Sequence, residues 1–265
     1  MNLINVIVSG AAGKMGREIV KAIVHTSDLK LVGVADLVNV DQDAGLLSGT
    51  KPVGLAVTSD LKQLLANSGA AVMIDFTSPL TVMDNIYASL EHRVSPVVGT
   101  TGISEENLTE IRRWTRLYNT GAIIAPNYAL GAILMNKIAQ LCARYMHAVE
   151  IIELHHDEKL DAPSGTAIKT ANLISEAVNT LPPQCVTLET IPGVRGGRVS
   201  NIPIHSIRLP GLVAHQEVLF GGEGQILTIR HDAFSRTCFI PGLLMAVRHA
   251  PSNKELIYGM ENLLE

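Results

Sequence analysis

Short apolar runs separated by helix-length amphipathic stretches set the rhythm of the first half of the chain. Ile4–Val8 is rich in β-branched residues and reads as a buried strand. A glycine-rich turn follows, and then Met15, Ile19, Ala22 and Ile23 fall on one helical face. A second strand, Leu29–Ala35, ends at Asp36. Asn39–Thr50 has little periodicity and reads as a loop. The pattern then predicts a short helix over Asp60–Ala66, a strand over Val72–Phe76, a helix over Leu80–Glu91 and a short strand at Val97–Val98. Ser104 is placed to cap a helix running to Tyr118, with Glu105 and Glu106 favourable in its first turn. Ala122–Ala125 is one more strand. Strand and helix alternate throughout, which implies a parallel sheet covered on both faces.

The pattern changes after Pro126–Asn127. Leu130–Met146 reads as one long helix, and Val149–Leu154 is apolar enough for a strand. Ser164 is an N-cap for a helix that should end before Leu181-Pro182-Pro183. Strands are expected over Ile202–Leu209, Val213–Phe220 and Gln225–His231, with Gly221–Gly224 as a hairpin connection. With no helices between them, these strands form an antiparallel or mixed sheet. Helix is expected again over Phe239–Val247 and Lys254–Leu264. The fold class is therefore α/β, with a second, α+β domain. The boundaries are 1–126, with 236–265 packing back on it, and 127–235.

Composition narrows the function classes. At 265 residues, 47% hydrophobic and 17% charged, the chain is globular rather than disordered. A net charge of −4 argues against a nucleic acid or an anionic membrane as partner. Cys142, Cys185 and Cys238 are scattered and form no C-x-x-C, so neither a disulfide framework nor a zinc knuckle is indicated. The apolar start lacks a basic region and is too short for a signal peptide, and no run approaches the ~18 apolar residues of a membrane span. A cytoplasmic location is the expectation.

Two stretches carry chemistry. Gly10-Ala11-Ala12-Gly13-Lys14-Met15-Gly16 sits between a strand and a helix, and Asp36 ends the next strand. Glycines let a backbone turn sharply and approach a pyrophosphate, which then rests on the helix N-terminus. The spacing is G-x-x-G-x-x-G rather than G-x-G-x-x-G, but its setting is that of a Rossmann-type dinucleotide-binding domain. The other stretch is Glu153–Ala167, E-L-H-H-D-E-K-L-D-A-P-S-G-T-A. It sits at a strand end and on a loop. His155 can exchange a proton near neutral pH, and Lys159 supplies a positive charge or a proton. The amides of Gly165 and Thr166 open a helix and suit a carboxylate. Both histidines can serve one site only if the strand stops by about Leu154, because consecutive strand residues face opposite ways. A polar surface loop would also account for this composition. A metal would need a further ligand pattern, such as H-E-x-x-H, that is absent.

Together these stretches resemble the 4-hydroxy-tetrahydrodipicolinate reductase family, also called dihydrodipicolinate reductases, of the diaminopimelate route to lysine. The likeness spans nearly the whole chain. It is carried by Gly10–Arg17, Asp75-Phe76-Thr77, Gly99-Thr100-Thr101, Ala125-Pro126-Asn127-Tyr128 and, most specifically, Glu153–Ala167. The resemblance implies His155 as proton donor and acceptor, Lys159 as proton donor, and His156, Gly165 and Thr166 as substrate contacts. It implies a cofactor site at Gly10, Ala11, Ala12, Gly13, Lys14, Met15, Gly16 and Asp36. Thr77 would also bind the cofactor, and Gly99, Thr100, Thr101, Ala125, Pro126, Asn127 and Tyr128 would line the nicotinamide side. It further implies use of both NADH and NADPH, a cyclic dicarboxylate substrate and a homotetramer built through the second domain's sheet; the residues themselves indicate no metal, and Asp36 followed by the uncharged Leu37 points to NADH as the preferred cofactor. Three features depart from the family pattern. Leu37 follows Asp36 where some members carry arginine, Ala129 stands where serine is frequent, and Leu209–Gln216 differs from the A-G-D-I-V-G-E-H type of string.

Two rivals have different signatures. An aldehyde dehydrogenase-like oxidoreductase would need an activated cysteine. A non-catalytic dinucleotide sensor has no need of H-H-x-x-K ahead of a carboxylate-binding helix start.

Overall fold

A computed structural model of the chain describes residues 3–178 and 188–264. The chain begins with β1 (Ile4–Ser9), α1 (Lys14–Val24), β2 (Leu29–Ala35), α2 (Ala44–Leu47), β3 (Val57–Thr58) and α3 (Leu61–Asn67). It continues through β4 (Val72–Asp75), α4 (Val82–Glu91), β5 (Ser95–Val98), α5 (Glu105–Tyr118) and β6 (Ala122–Ile124). The amphipathic readings hold for local reasons. Helix α1 buries Ile19, Val20 and Ile23 along one face. Helix α5 starts at a capping box between Ser104 and Asn107 and stops at Asn119, which takes the left-handed conformation at φ 51°.

The second part comprises α6 (Leu130–Ala143), β7 (Ala148–His155), α7 (Gly165–Ala177), β8 (Gly197–Val199), β9 (Ile202–Arg208), β10 (Ala214–Gly222) and β11 (Gln225–Ala233). A 3₁₀ turn at Arg236–Phe239 leads into α8 (Ile240–His249), and β12 (Leu256–Tyr258) follows. The chain divides into two compact units, Met1–Ala129 with Phe239–Glu265, and Leu130–Cys238.

The first unit holds a seven-stranded sheet in the order β12-β6-β5-β4-β1-β2-β3, with every pairing parallel. Its central strands are buried on both faces, as their unbroken apolar runs require: Val6, Ile7, Val8, Met73, Ile74 and Val97 have no exposed surface. The second unit holds a mixed five-stranded sheet, β11-β10-β7-β9-β8. Only β7 and β9 run parallel. Helices α6 and α7 cover one face of it, packing Ala139, Ala143, Ala171 and Ile174 against Ile151, Ile204, Val218 and Phe220.

Three expectations are corrected. Lys254–Leu264 is not a helix. Leu256-Ile257-Tyr258 adds in parallel to the β6 edge, and only Met260–Leu263 coils, as a 3₁₀ turn. Backbone pairing, including Ala122 N–H to Glu255 O and Gly259 N–H to Ile124 O, outweighs the local helix propensity. Asn39–Thr50 is not wholly loop, since Asp43 caps the one-turn helix α2 and also accepts from the amides of Val53 and Gly54. The hairpin connection is shorter than Gly221–Gly224. Both Gly221 and Gly222 lie in β10, and the turn is Glu223-Gly224, with Gly224 at φ 67°. Leu181–Pro183 and Cys185 lie outside the described residues.

Candidate active site

In the first unit the glycine turn is tied to β2. Gly10 and Ala11 donate to Ala35 O at 2.9 and 3.2 Å, and Ala12 N–H donates to Asp36 Oδ2 at 2.9 Å. Gly10 sits at φ 81°, where a Cβ would meet Phe76 O at 2.4 Å. A Cβ on Gly16 would stand 2.0 Å from Gly10 O. Both glycines are therefore required by close backbone approach. No side chain caps α1 at Gly13, so its opening amides are left for a ligand. A cavity of about 330 Å³ opens beside it, lined by Gly10, Gly13, Asp36, Leu37, Phe76 and Thr77 among others. An uncapped helix start, a glycine cradle and an acidic strand end together fit a dinucleotide's diphosphate and ribose.

The next two loops are organised by Asp75, which is completely buried at the end of β4. Its Oδ1 accepts from Thr77 Oγ1 at 2.8 Å and Thr100 Oγ1 at 2.7 Å, and its Oδ2 accepts from Asn85 Nδ2 at 2.8 Å. Thr77 N–H also donates to Thr100 Oγ1 at 2.8 Å, so the β4 and β5 loops are locked together. Gly99 lies against the Phe76 ring, where a Cβ would stand 2.1 Å away. Ala125 and Tyr128 are buried behind this wall, with the Tyr128 hydroxyl donating to Val98 O at 2.8 Å. Pro126 and Thr101 are exposed, and Asn127 Oδ1 accepts from Ala129 N–H at 2.9 Å.

In the second unit β7 runs through His155, one residue beyond the end at Leu154 that would let both histidines turn to one side. His155 is still in register with Arg208 of β9 and Ala214 of β10, which accounts for the longer strand. It shares its strand face with Glu153, and its Nδ1 lies 2.5 Å from Glu153 Oε2. Glu153 has no exposed surface. Arg208 grips both of its oxygens, Nη1 to Oε2 at 2.9 Å and Nη2 to Oε1 at 2.8 Å, and Ser164 N–H donates to Oε1 at 3.2 Å. Burial pushes the Glu153 carboxyl up, but the hydrogen bonds from Arg208, Ser206 and His155 outweigh it and hold the group below the usual carboxylate range. For His155 burial dominates. It depresses the imidazole below its ordinary value, against the opposing pull of Glu153.

His156 lies just past the strand and is exposed. Lys159 Nζ donates to Asp161 Oδ1 at 2.7 Å. The Ser164 side chain accepts from Ala167 N–H at 3.2 Å, leaving the first amides of α7, those of Gly165 and Thr166, outside the cap. At Cys238 the rival cysteine chemistry finds no support, because burial pushes that thiol up, away from a reactive thiolate.

Comparison with known proteins decides the family. Residues 4–128 match the family model described as dihydrodipicolinate reductase, N-terminus, and residues 131–264 match the one described as its C-terminus. This chain belongs to the dihydrodipicolinate reductase family. It is 50% identical over 270 residues to a 4-hydroxy-tetrahydrodipicolinate reductase of Desulfitobacterium hafniense, covering 100% of both chains. It is 48% identical to that of Moorella thermoacetica, covering 99% of this chain and 98% of the relative. Among solved structures, a dipicolinate-bound dihydrodipicolinate reductase from Paenisporosarcina sp. superposes with a TM-score of 0.89 at 42% identity, covering 98% of this chain and 99% of that one. An amine dehydrogenase from Mycobacterium smegmatis, at 13% identity and a TM-score of 0.68, shares the fold.

The structure thus gathers the glycine turn, Asp36, Thr77 and the Gly99–Thr101 loop in the first unit. It gathers the histidine loop and the start of α7 in the second. Sequence reasoning assigned no role to Asp75, Glu153 or Arg208. Glu153 left a signal, because it stands two residues before His155 on a strand and so shares its face. Arg208 left none, since only the β7–β9 register brings it there.

Proposed function

We infer that this chain reduces 4-hydroxy-tetrahydrodipicolinate to tetrahydrodipicolinate with hydride from NAD(P)H, in the diaminopimelate route of lysine biosynthesis. The observation that carries the reading is the His155–Lys159 loop running into the open α7 start, within a chain that matches the family from end to end. The substrate is a cyclic dicarboxylate that becomes a conjugated imine on loss of water. The amides of Gly165 and Thr166 hold one carboxylate, and His156 contacts the substrate from the loop. NAD(P)H, when bound, would supply hydride to carbon 4 of the ring. The α1 start would hold the diphosphate, Asp36 the adenosine ribose, and the Gly99–Thr101 loop the nicotinamide side, with Thr77 also at the cofactor. The enamine that forms needs a proton at carbon 3. Burial holds the His155 imidazole below its ordinary value, and a dianionic substrate beside it favours the protonated form, so His155 gains a proton more readily once substrate is bound and delivers it there. Lys159 adds positive charge and a second acidic proton.

The cofactor preference follows from Asp36. Its carboxylate accepts hydrogen bonds from ribose hydroxyls, whereas the 2′-phosphate of NADPH would meet a like charge. Two unit charges ~4 Å apart repel by ~1 kcal/mol in water and ~4 kcal/mol at an effective dielectric of 20. Leu37 is 76% exposed beside Asp36 and brings no compensating charge. Arg17 commits its Nε to Ala12 O at 2.8 Å, which limits its reach. NADH is therefore expected to be favoured about tenfold or more, a difference of ~1.4 kcal/mol per decade. NADPH remains usable, and Leu37→Arg should narrow the gap by improving it. The test mixes protein, either cofactor and substrate made in situ by the preceding synthase, and follows the loss of reduced-nicotinamide absorbance. No loss, or loss without substrate, would rule out the activity. Equal kcat/KM for the two cofactors would rule out the preference.

The second unit's sheet supports a tetramer. Helices α6 and α7 pack on one face of it, and the edge strand β11 exposes Ile226 and Leu227 at 74% and 40%. Light scattering should give a tetramer's mass, and a monomer's would contradict the assembly. Among the described residues no helix is long and apolar enough to cross a membrane, and a cytoplasmic location is proposed on the family resemblance.

A further inference from the structure

We propose that Glu153, clamped by Arg208, is the positioning residue of the reaction: it fixes which ring nitrogen of His155 handles the proton and sets the imidazole beside the start of α7. The inference rests on the reading of His155 given above and extends it to two residues with no assigned role.

The geometry is closed. Glu153 Oε1 accepts from Arg208 and Ser164 N–H and its Oε2 from Arg208 and His155, and the Ser206 side chain donates to the same carboxylate. Arg208 is itself anchored, since its Nη1 donates to Ile207 O and its Nη2 to Asp161 O. An ionised carboxylate can only accept, so His155 Nδ1 must carry a hydrogen in both the neutral and the charged ring. Only Nε2 is then free to gain and lose a proton. The same carboxylate holds the N-cap residue of α7, so the proton carrier and the carboxylate-binding amides hang from one buried group. A second-strand arginine is also what lets this acid stay charged in a buried place without taking the histidine's proton. The charged groups acting on His155 are Glu153 on its own strand, Arg208 on β9 and Lys159 on the loop. Strand β10 brings only Ala214 opposite it.

Glu153→Gln is the test. Glutamine keeps one acceptor for Arg208 and Ser164 but turns a donor toward Nδ1, which favours the neutral ring with hydrogen on Nε2. The expected result is a fall in kcat of about 10²–10⁴-fold, with substrate KM within a few-fold. The histidine limb of the pH profile should also move to lower pH, because the carboxylate that favours the charged ring is gone. A merely structural glutamate would not move that limb, and unchanged kcat and an unmoved limb would overturn the proposal. Should the variant not fold, ¹⁵N NMR of the unaltered protein decides, with His155 assigned by its loss in His155→Gln. Hydrogen on Nδ1 supports the proposal, and hydrogen on Nε2 overturns it. If His155→Gln itself turns over normally, the reading of His155 fails, while the tautomer still reports on Glu153.

Discussion

Replacing His155 with glutamine is expected to lower turnover by about 10²–10⁴-fold, the usual contribution of a positioned acid or base. Lys159→Ala is expected to do the same through loss of a charge and a proton donor. Neither change should weaken substrate binding to a comparable degree, because the amides proposed to hold the carboxylate belong to the α7 backbone. His155 has 14% of its side chain exposed and Glu153 none, so one edge of the imidazole is open and the other is held. Lys159 retains 22% exposure and pairs with Asp161, whose carboxyl it holds below the usual range. That pairing keeps the ammonium close to the histidine loop. Steady-state kinetics on both variants check the expectation. Turnover within a few-fold of the unaltered protein in both would remove His155 and Lys159 from the chemistry.

Gly16→Ala is expected to have a large effect on the first unit. The added methyl would stand 2.0 Å from Gly10 O and 2.7 Å from Ala11 Cα. These are backbone atoms of a turn already fixed by hydrogen bonds to Ala35 O and Asp36, so no flexible side chain can move aside. Overpacking of this kind costs on the order of 1–3 kcal/mol. Gly10→Ala adds the left-handed backbone penalty of roughly 1–2 kcal/mol to a similar clash with Phe76 O. Denaturant midpoints should fall for both, and cofactor affinity should fall with them, because relaxing the clash displaces the α1 start. Unaltered midpoint and affinity would show that the turn has slack. Gly13 is the contrast: its only close contact is Gly10 O at 3.3 Å, so Gly13→Ala should be tolerated better by the fold than either neighbour.

Much of this was legible in the chain because it is local. Short apolar runs marked the buried parallel strands, and Ser104 and Ser164 announced their helices through side-chain caps that the structure retains. The glycine turn was legible for the same reason, since Gly16 meets Gly10 within seven residues, although the approach of Phe76 O to Gly10 comes from just past β4. What could not be read was set by pairing across the sequence. Leu256–Tyr258 carries the pattern of a short helix or strand equally well, and only the open edge of β6 decides between them. Val57–Thr58 and Gly197–Val199 are too short to announce themselves and exist because a neighbouring strand offers backbone partners. The site divided in the same way. His155, Lys159 and the α7 start lie within one stretch, whereas Arg208 arrives from 53 positions beyond His155 by strand register. Asp75 was visible as part of a motif, but its service to both Thr77 and Thr100 depends on β4 and β5 lying side by side.

The proposed reaction delivers hydride to one ring carbon and a proton to the next. Isotope transfer tests both at once. The protein is supplied with NADH deuterated at the nicotinamide carbon that gives up hydride, with freshly made 4-hydroxy-tetrahydrodipicolinate, in ordinary water, and the product is read by NMR and mass spectrometry. A single deuterium at carbon 4 of tetrahydrodipicolinate, with hydrogen from solvent at carbon 3, is the predicted result. Product without deuterium, or cofactor oxidation that leaves the substrate unchanged, would contradict it.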